Sequence, residues 1–129
     1  MLDGIDHVQL AAPPGCEPEA RRFFAGLLGL EEVEKPEPLR ARGGVWFRVG
    51  AQQLHVGVAE DFAPARKAHP AFAVSGYDAL VARLRAAGVA VIDDASNPGL
   101  RRCFVADPWE NRIELVAVEN CVQLPITPQ

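Results

Sequence analysis

The run Arg102-Cys103-Phe104-Val105-Ala106-Asp107-Pro108-Trp109-Glu110-Asn111-Arg112-Ile113-Glu114-Leu115-Val116-Ala117-Val118 reads as two strands around a tight turn. Arg102–Ala106 and Asn111–Val118 are the arms, and Asp107-Pro108-Trp109-Glu110 carries Asp and Pro where a turn favours them. Along the second arm Ile113 and Leu115 fall on one face, while Arg112, Glu114 and Val116 fall on the other. A carboxylate therefore sits in mid-strand. On the first arm Arg102 and Phe104 share a face opposite Cys103, which reads as a small buried residue.

Working back from this hairpin, Asn97-Pro98-Gly99 predicts a turn and Val89–Asp93 a strand. Tyr77–Ala87 predicts a helix, with Leu80, Val81 and Leu84 on one side and Gly88 ending it. His69–Val74 predicts a strand. The same order precedes it: a strand over Asp6–Ala12, a helix over Glu17–Leu28 ending at Gly29, and a short extended stretch at Leu30–Glu34. Pro36, Pro38 and Gly43-Gly44 then break the chain, and Val45–Val49 and Gln53–Val58 form a hairpin around Gly50-Ala51-Gln52. The positions repeat near 60 residues, since 69 − 7 = 62 and 114 − 55 = 59. The expected fold is α+β: two tandem βαβββ modules forming a cupped mixed sheet with helices on its outer face. Its 129 residues suit one domain, with module one at about 4–58, a linker at 59–68, module two at about 69–118 and a tail at 119–129.

The repeat gives the polar residues their meaning. His7 and His55 open and close module one, and His69 and Glu114 open and close module two. Around each, one strand face is small or polar (Gln9; Gln53 and Gly57; Ala71 and Ala73) and the other bulky and apolar. An isolated strand histidine is ordinarily a surface or hydrogen-bonded residue. All three histidines of the chain at equivalent strand positions, joined by one carboxylate, instead suggest shared ligation of one divalent ion, Zn²⁺, Ni²⁺, Fe²⁺ or Mn²⁺. Trp46 and Arg48 share a face, as do Arg102 and Phe104; facing inward, they would supply aromatic walls and guanidiniums for a substrate.

Charge narrows the partners. With 13 basic and 17 acidic residues the net charge is −4, and no basic run exists, so neither nucleic acid nor an anionic membrane is expected. A small-molecule substrate is. The N-terminus lacks a signal-peptide pattern, no apolar run approaches a membrane span, and three unpaired-looking cysteines suggest a reducing compartment, the cytoplasm.

The order of elements over residues 4–118, and the stretch Asp107–Leu115, resemble the vicinal-oxygen-chelate superfamily, which includes glyoxalases, bleomycin-resistance proteins and extradiol dioxygenases. Its closing DP-x-G-N-x-x-E-like segment ends in a metal-binding Glu, here Glu114; Glu110 stands where Gly is usual. The resemblance implies His7, His55, His69 and Glu114 as metal ligands, a homodimer, and a metal-dependent lyase or isomerase that stabilises an enediolate-like intermediate, with Glu114 and His55 in catalytic roles. Glyoxalase I enzymes usually carry Glu at the position of His55. Three neutral imidazoles and one carboxylate leave the ion at about +1, a stronger Lewis acid. A variant keeps His7, His69 and Glu114 as a two-His-one-carboxylate triad, freeing His55 for acid–base work. Dioxygenase and thiol-transferase chemistry fit the same scaffold, and a drug-sequestering protein of the bleomycin-resistance type needs no metal set.

Overall fold

The computed structural model describes residues 1–96 and 98–121. Asn97, expected in a turn, and most of the expected tail lie outside the described residues. The chain divides into two compact units, Met1–Ala65 with Pro108–Asn111, and Arg66–Asp107 with the chain from Arg112 onward.

In the first unit the elements are β1 (His7–Ala12), α1 (Glu17–Ala20) continued by a π-helical stretch (Arg21–Leu27), β2 (Glu31–Val33), α2 (Glu37–Arg40), β3 (Val45–Val49) and β4 (Gln52–Val58). The four strands lie in the order β1-β4-β3-β2, with β1 parallel to β4 and the remaining pairs antiparallel. The second unit repeats this with β5 (Ala71–Val74), α3 (Tyr77–Ala86), β6 (Ile92–Asp93), β7 (Arg102–Ala106) and β8 (Arg112–Ala117), in the order β5-β8-β7-β6. Again the first and last strands pair in parallel and the others antiparallel. This is the mixed α+β arrangement of two βαβββ modules.

Side-chain alternation builds each core on one sheet face. Leu10, Ala12, Val45, Phe47, Leu54 and Val56 are buried in the first unit, and Cys103, Val105, Ile113, Leu115 and Ala117 in the second. Against the first set pack Phe23 and Phe24, whose rings meet edge to face at 5.0 Å, with Phe24 tilted against Phe47 at 5.6 Å. The π stretch explains how two consecutive phenylalanines share one core. Its N–H groups bond five residues back, as Leu28 does to the Phe23 carbonyl, so neighbours diverge by about 80° around the axis instead of about 100°.

Several predicted boundaries move, each for a reason of hydrogen bonding. His69 was expected to open β5 but stands two residues before it. Pro70 has no N–H for the ladder, although its carbonyl still accepts the Glu114 N–H at 3.0 Å. The strand expected over Val89–Asp93 is only Ile92–Asp93, because the Val89 N–H is taken by the Leu84 carbonyl at the end of α3. The proline-broken stretch contains one helical turn, α2, which Pro36 precedes with an extended backbone. Asn111, read as the start of the last strand, belongs to the first unit and is 1% exposed. Its amide nitrogen donates to the Ala11 carbonyl at 2.8 Å and its oxygen accepts the Ala65 N–H at 2.9 Å.

Gly44 stands just before β3 where no other residue fits. Its φ is +88°, and a Cβ there would stand 2.2 Å from the Val56 carbonyl oxygen. Its N–H donates to Glu17 at 2.7 Å, and this bond is the largest of the effects that lower the Glu17 pKa. The close approach sets the line of β3 against β4, and hence where Trp46 falls beside His55.

Candidate functional site

Strand register puts the polar residues of each unit on the face opposite its core. In the first unit Gln53 lies opposite His7, and His55 lies opposite both Gln9 and Trp46. In the second, Glu114 lies opposite both Ala71 and Phe104. Extending the β5–β8 register by one two-residue step sets His69 against Arg112, two residues before Glu114, just as His7 is set against Gln53, two residues before His55. His7 and His69 are thus equivalent positions, as are His55 and Glu114, and Trp46 and Phe104.

The two pairs differ in geometry. In the first unit three rings stack: Trp46 on His55 at 3.7 Å with planes 2° apart, and His55 on His7 at 4.0 Å and 19°. His55 is 5% exposed, and burial, followed by the nearby His7, pushes its pKa down, which favours the neutral imidazole a metal requires. Its Nε2 meets Gln53 Oε1 at 2.8 Å, and His7 Nδ1 meets Asp6 Oδ2 at 2.9 Å. Ligand imidazoles converge on their ion through ring nitrogens and do not stack face to face, so these two rings must rearrange to share one.

In the second unit His69 Nε2 stands 2.9 Å from Glu114 Oε1, and His69 Nδ1 stands 2.9 Å from the Lys67 carbonyl oxygen. A neutral imidazole has one N–H and can donate to only one of these oxygens; the other contact calls for a second proton or a metal cation. Donors about 2.1 Å from a common ion lie about 2.9–3.4 Å apart, so this pair already has chelating separation. The Lys67 carbonyl is the outer partner that metal-bound histidines usually have. Glu114 is 8% exposed, and its Oε2 is 3.3 Å from Arg102 Nη1. The residues fit a divalent ion in twos: among the described residues no group of three or more His, Cys, Asp or Glu side chains stands together as a metal set.

The predicted substrate contacts separate. Trp46 stacks on His55, and the Phe104 ring meets His69 in a T-shaped contact at 5.4 Å. Arg48 is tied to Glu31 at 3.1 Å and is mostly exposed. Arg102 is engaged twice, through Nε on Asp94 Oδ2 at 2.6 Å and through Nη1 on Glu114. Gln53, on the same strand face as His55, holds that imidazole through its Oε1. Asp94 gave no sign in the sequence, because only the folded chain brings it to its partner Arg102. Beside Glu114, Ala71, Ala73, Leu100 and Val116 border a mainly apolar chamber of about 380 Å³.

Two four-stranded sheets of this topology, with His and Glu donors on their open faces, define the vicinal-oxygen-chelate class. Comparison with known proteins agrees. Residues 17–116 match the glyoxalase-like domain, and the chain belongs to that family. A Bacillus anthracis protein assigned to the glyoxalase family has 50% identity with it, over 91% of this chain and 96% of its own, at a TM-score of 0.87. The fosfomycin resistance protein FosX of Listeria monocytogenes, solved with Mn(II) and sulfate, has 18% identity over 91% of each chain at 0.72. Lactoylglutathione lyase of Agrobacterium tumefaciens has 21% identity over 90% of this chain and 94% of its own at 0.70. These last two share the fold. A search among curated protein sequences returned no match.

Proposed function

We propose that the protein is a divalent-metal-dependent enzyme of lyase or isomerase type, acting on a small substrate that chelates through neighbouring oxygens. The observation that carries this reading is the His69–Glu114 pair, with two donors at chelating separation and an imidazole whose two nitrogens both face oxygen. His7 and His55 complete the donor set, from the same chain or from a second copy in a homodimer. Imidazole and carboxylate donors suit Zn²⁺, Ni²⁺, Fe²⁺ or Mn²⁺. Mn(II) in the FosX structure and the activity named for the Agrobacterium lyase support the choice of ion and reaction type.

When bound, such an ion polarises a carbonyl oxygen and makes the adjacent C–H acidic. The chain supplies the rest. Glu114, steadied by Arg102 on one oxygen, or His55, kept neutral between Trp46 and His7, accepts the proton and returns it at the neighbouring carbon. Trp46 and Phe104 hold the carbon skeleton, and the chamber beside Val116 takes an apolar substituent. The three cysteines, all free, support a cytoplasmic setting; among the described residues no helix is long and apolar enough to cross a membrane.

The test is proton exchange in D₂O, followed by NMR, with untagged protein loaded with Mn(II) and given hydroxyacetone or the methylglyoxal hemithioacetal. We expect metal-dependent deuterium incorporation or isomerisation that falls at least about 100-fold in Glu114→Gln. Metal-free protein that catalyses no exchange but binds an aromatic drug tightly would favour sequestration instead.

A further inference from the structure

Among the described residues, the second unit holds on its site face a guanidinium, that of Arg112, that no carboxylate occupies. Arg112 lies two residues before Glu114 on β8, so the two side chains share a face about 7 Å apart. Its guanidinium carbon sits 4.0 Å from the centre of the Phe104 ring, the same ring that makes a T-shaped contact with His69. The contrast with several other arginines of the chain is specific. Arg48 is bound to Glu31, Arg85 to Asp93, Arg101 to Asp78, and Arg102 to Asp94 and Glu114. Among the described residues, Arg112 has the aromatic face and no acidic partner.

We propose that Arg112 is the anion-recognition residue of this site and that the substrate is a small 2-oxo or 2-hydroxy acid. A guanidinium packed on an aromatic face keeps its N–H edges free and already oriented. Those edges match the paired oxygens of a carboxylate. The 7 Å spacing sets the charged group within a few bonds of the oxygens offered to His69 and Glu114. Arg102 cannot serve this purpose, because Asp94 and Glu114 already occupy it.

The inference rests on the metal reading above, so its test runs without metal. Metal-free protein is titrated with pyruvate and with its uncharged isostere pyruvamide, followed by NMR shifts, for the wild type, Arg112→Gln and Arg112→Lys. Thermal melts confirm that the variants fold. A preference for pyruvate of about tenfold or more is expected in the wild type. It should shrink toward unity in Arg112→Gln and be partly kept in Arg112→Lys, which retains charge without the fork. A general loss of packing would weaken both probes together and leave their ratio unchanged. An unchanged ratio in Arg112→Gln, or equal binding of both probes by the wild type, overturns the proposal. Failure to take up Mn(II) is a separate result and bears on the metal reading alone.

Discussion

Glu110 is where this chain departs from its family's closing motif, and the backbone records the departure. Its φ is +73°, a left-handed conformation that glycine adopts freely and a side chain with a Cβ does not. Glu110→Gly is expected to stabilise the protein by about 1 kcal/mol, seen as a rise of a few degrees in Tm. An unchanged or lower Tm would mean that contacts of the Glu110 side chain outweigh the strain. The positive φ was legible in outline, since glycine is usual at this position. The fates of Arg102 and Arg48 were not. Alternation says which face a side chain leaves from, but ion-pair partners such as Asp94 and Glu31 come from neighbouring strands or loops whose approach only the folded chain defines.

At the level of elements, strand order and pairing were largely readable because period-2 alternation survives in β1, β3, β4, β7 and β8. What alternation missed were competing hydrogen bonds: Pro70 shortening β5, the end of α3 claiming Val89, and the π stretch that buries Phe23 and Phe24 together. The loop after β6 adds a testable joint. Asp94 accepts from the Ser96 hydroxyl at 2.6 Å and the Ser96 N–H at 2.9 Å, and it holds Arg102 of β7. The Ser96 bonds, then Arg102, lower its pKa from 3.8 to about 2. A carboxylate with a depressed native pKa binds fewer protons folded than unfolded, so its contribution is complete above the unfolded value and fades as pH falls toward the folded one. The stability difference between wild type and Asp94→Asn, from urea unfolding, should be constant above about pH 5 and shrink between pH 3.8 and about 2. A difference that persists undiminished to pH 2.5 would contradict this.

For the whole molecule, the repeat is the deepest feature the sequence carried. One strand order and one register recur, placing imidazole opposite Gln53 and Arg112, and an aromatic ring beside each closing donor. The repeated register explains why these side chains arrive in twos; in one pair the rings stack, and in the other two polar atoms stand 2.9 Å apart. We propose that these pairs hold a divalent ion that requires Glu114 as a ligand. This is tested most directly by titrating untagged protein with Mn(II) and reading the free-ion signal by electron paramagnetic resonance. We predict uptake of one ion per site, reduced at least about tenfold in affinity in Glu114→Gln and His69→Ala, with both variants still folded. Uptake unaffected by these changes, or none by the wild type, would contradict the account.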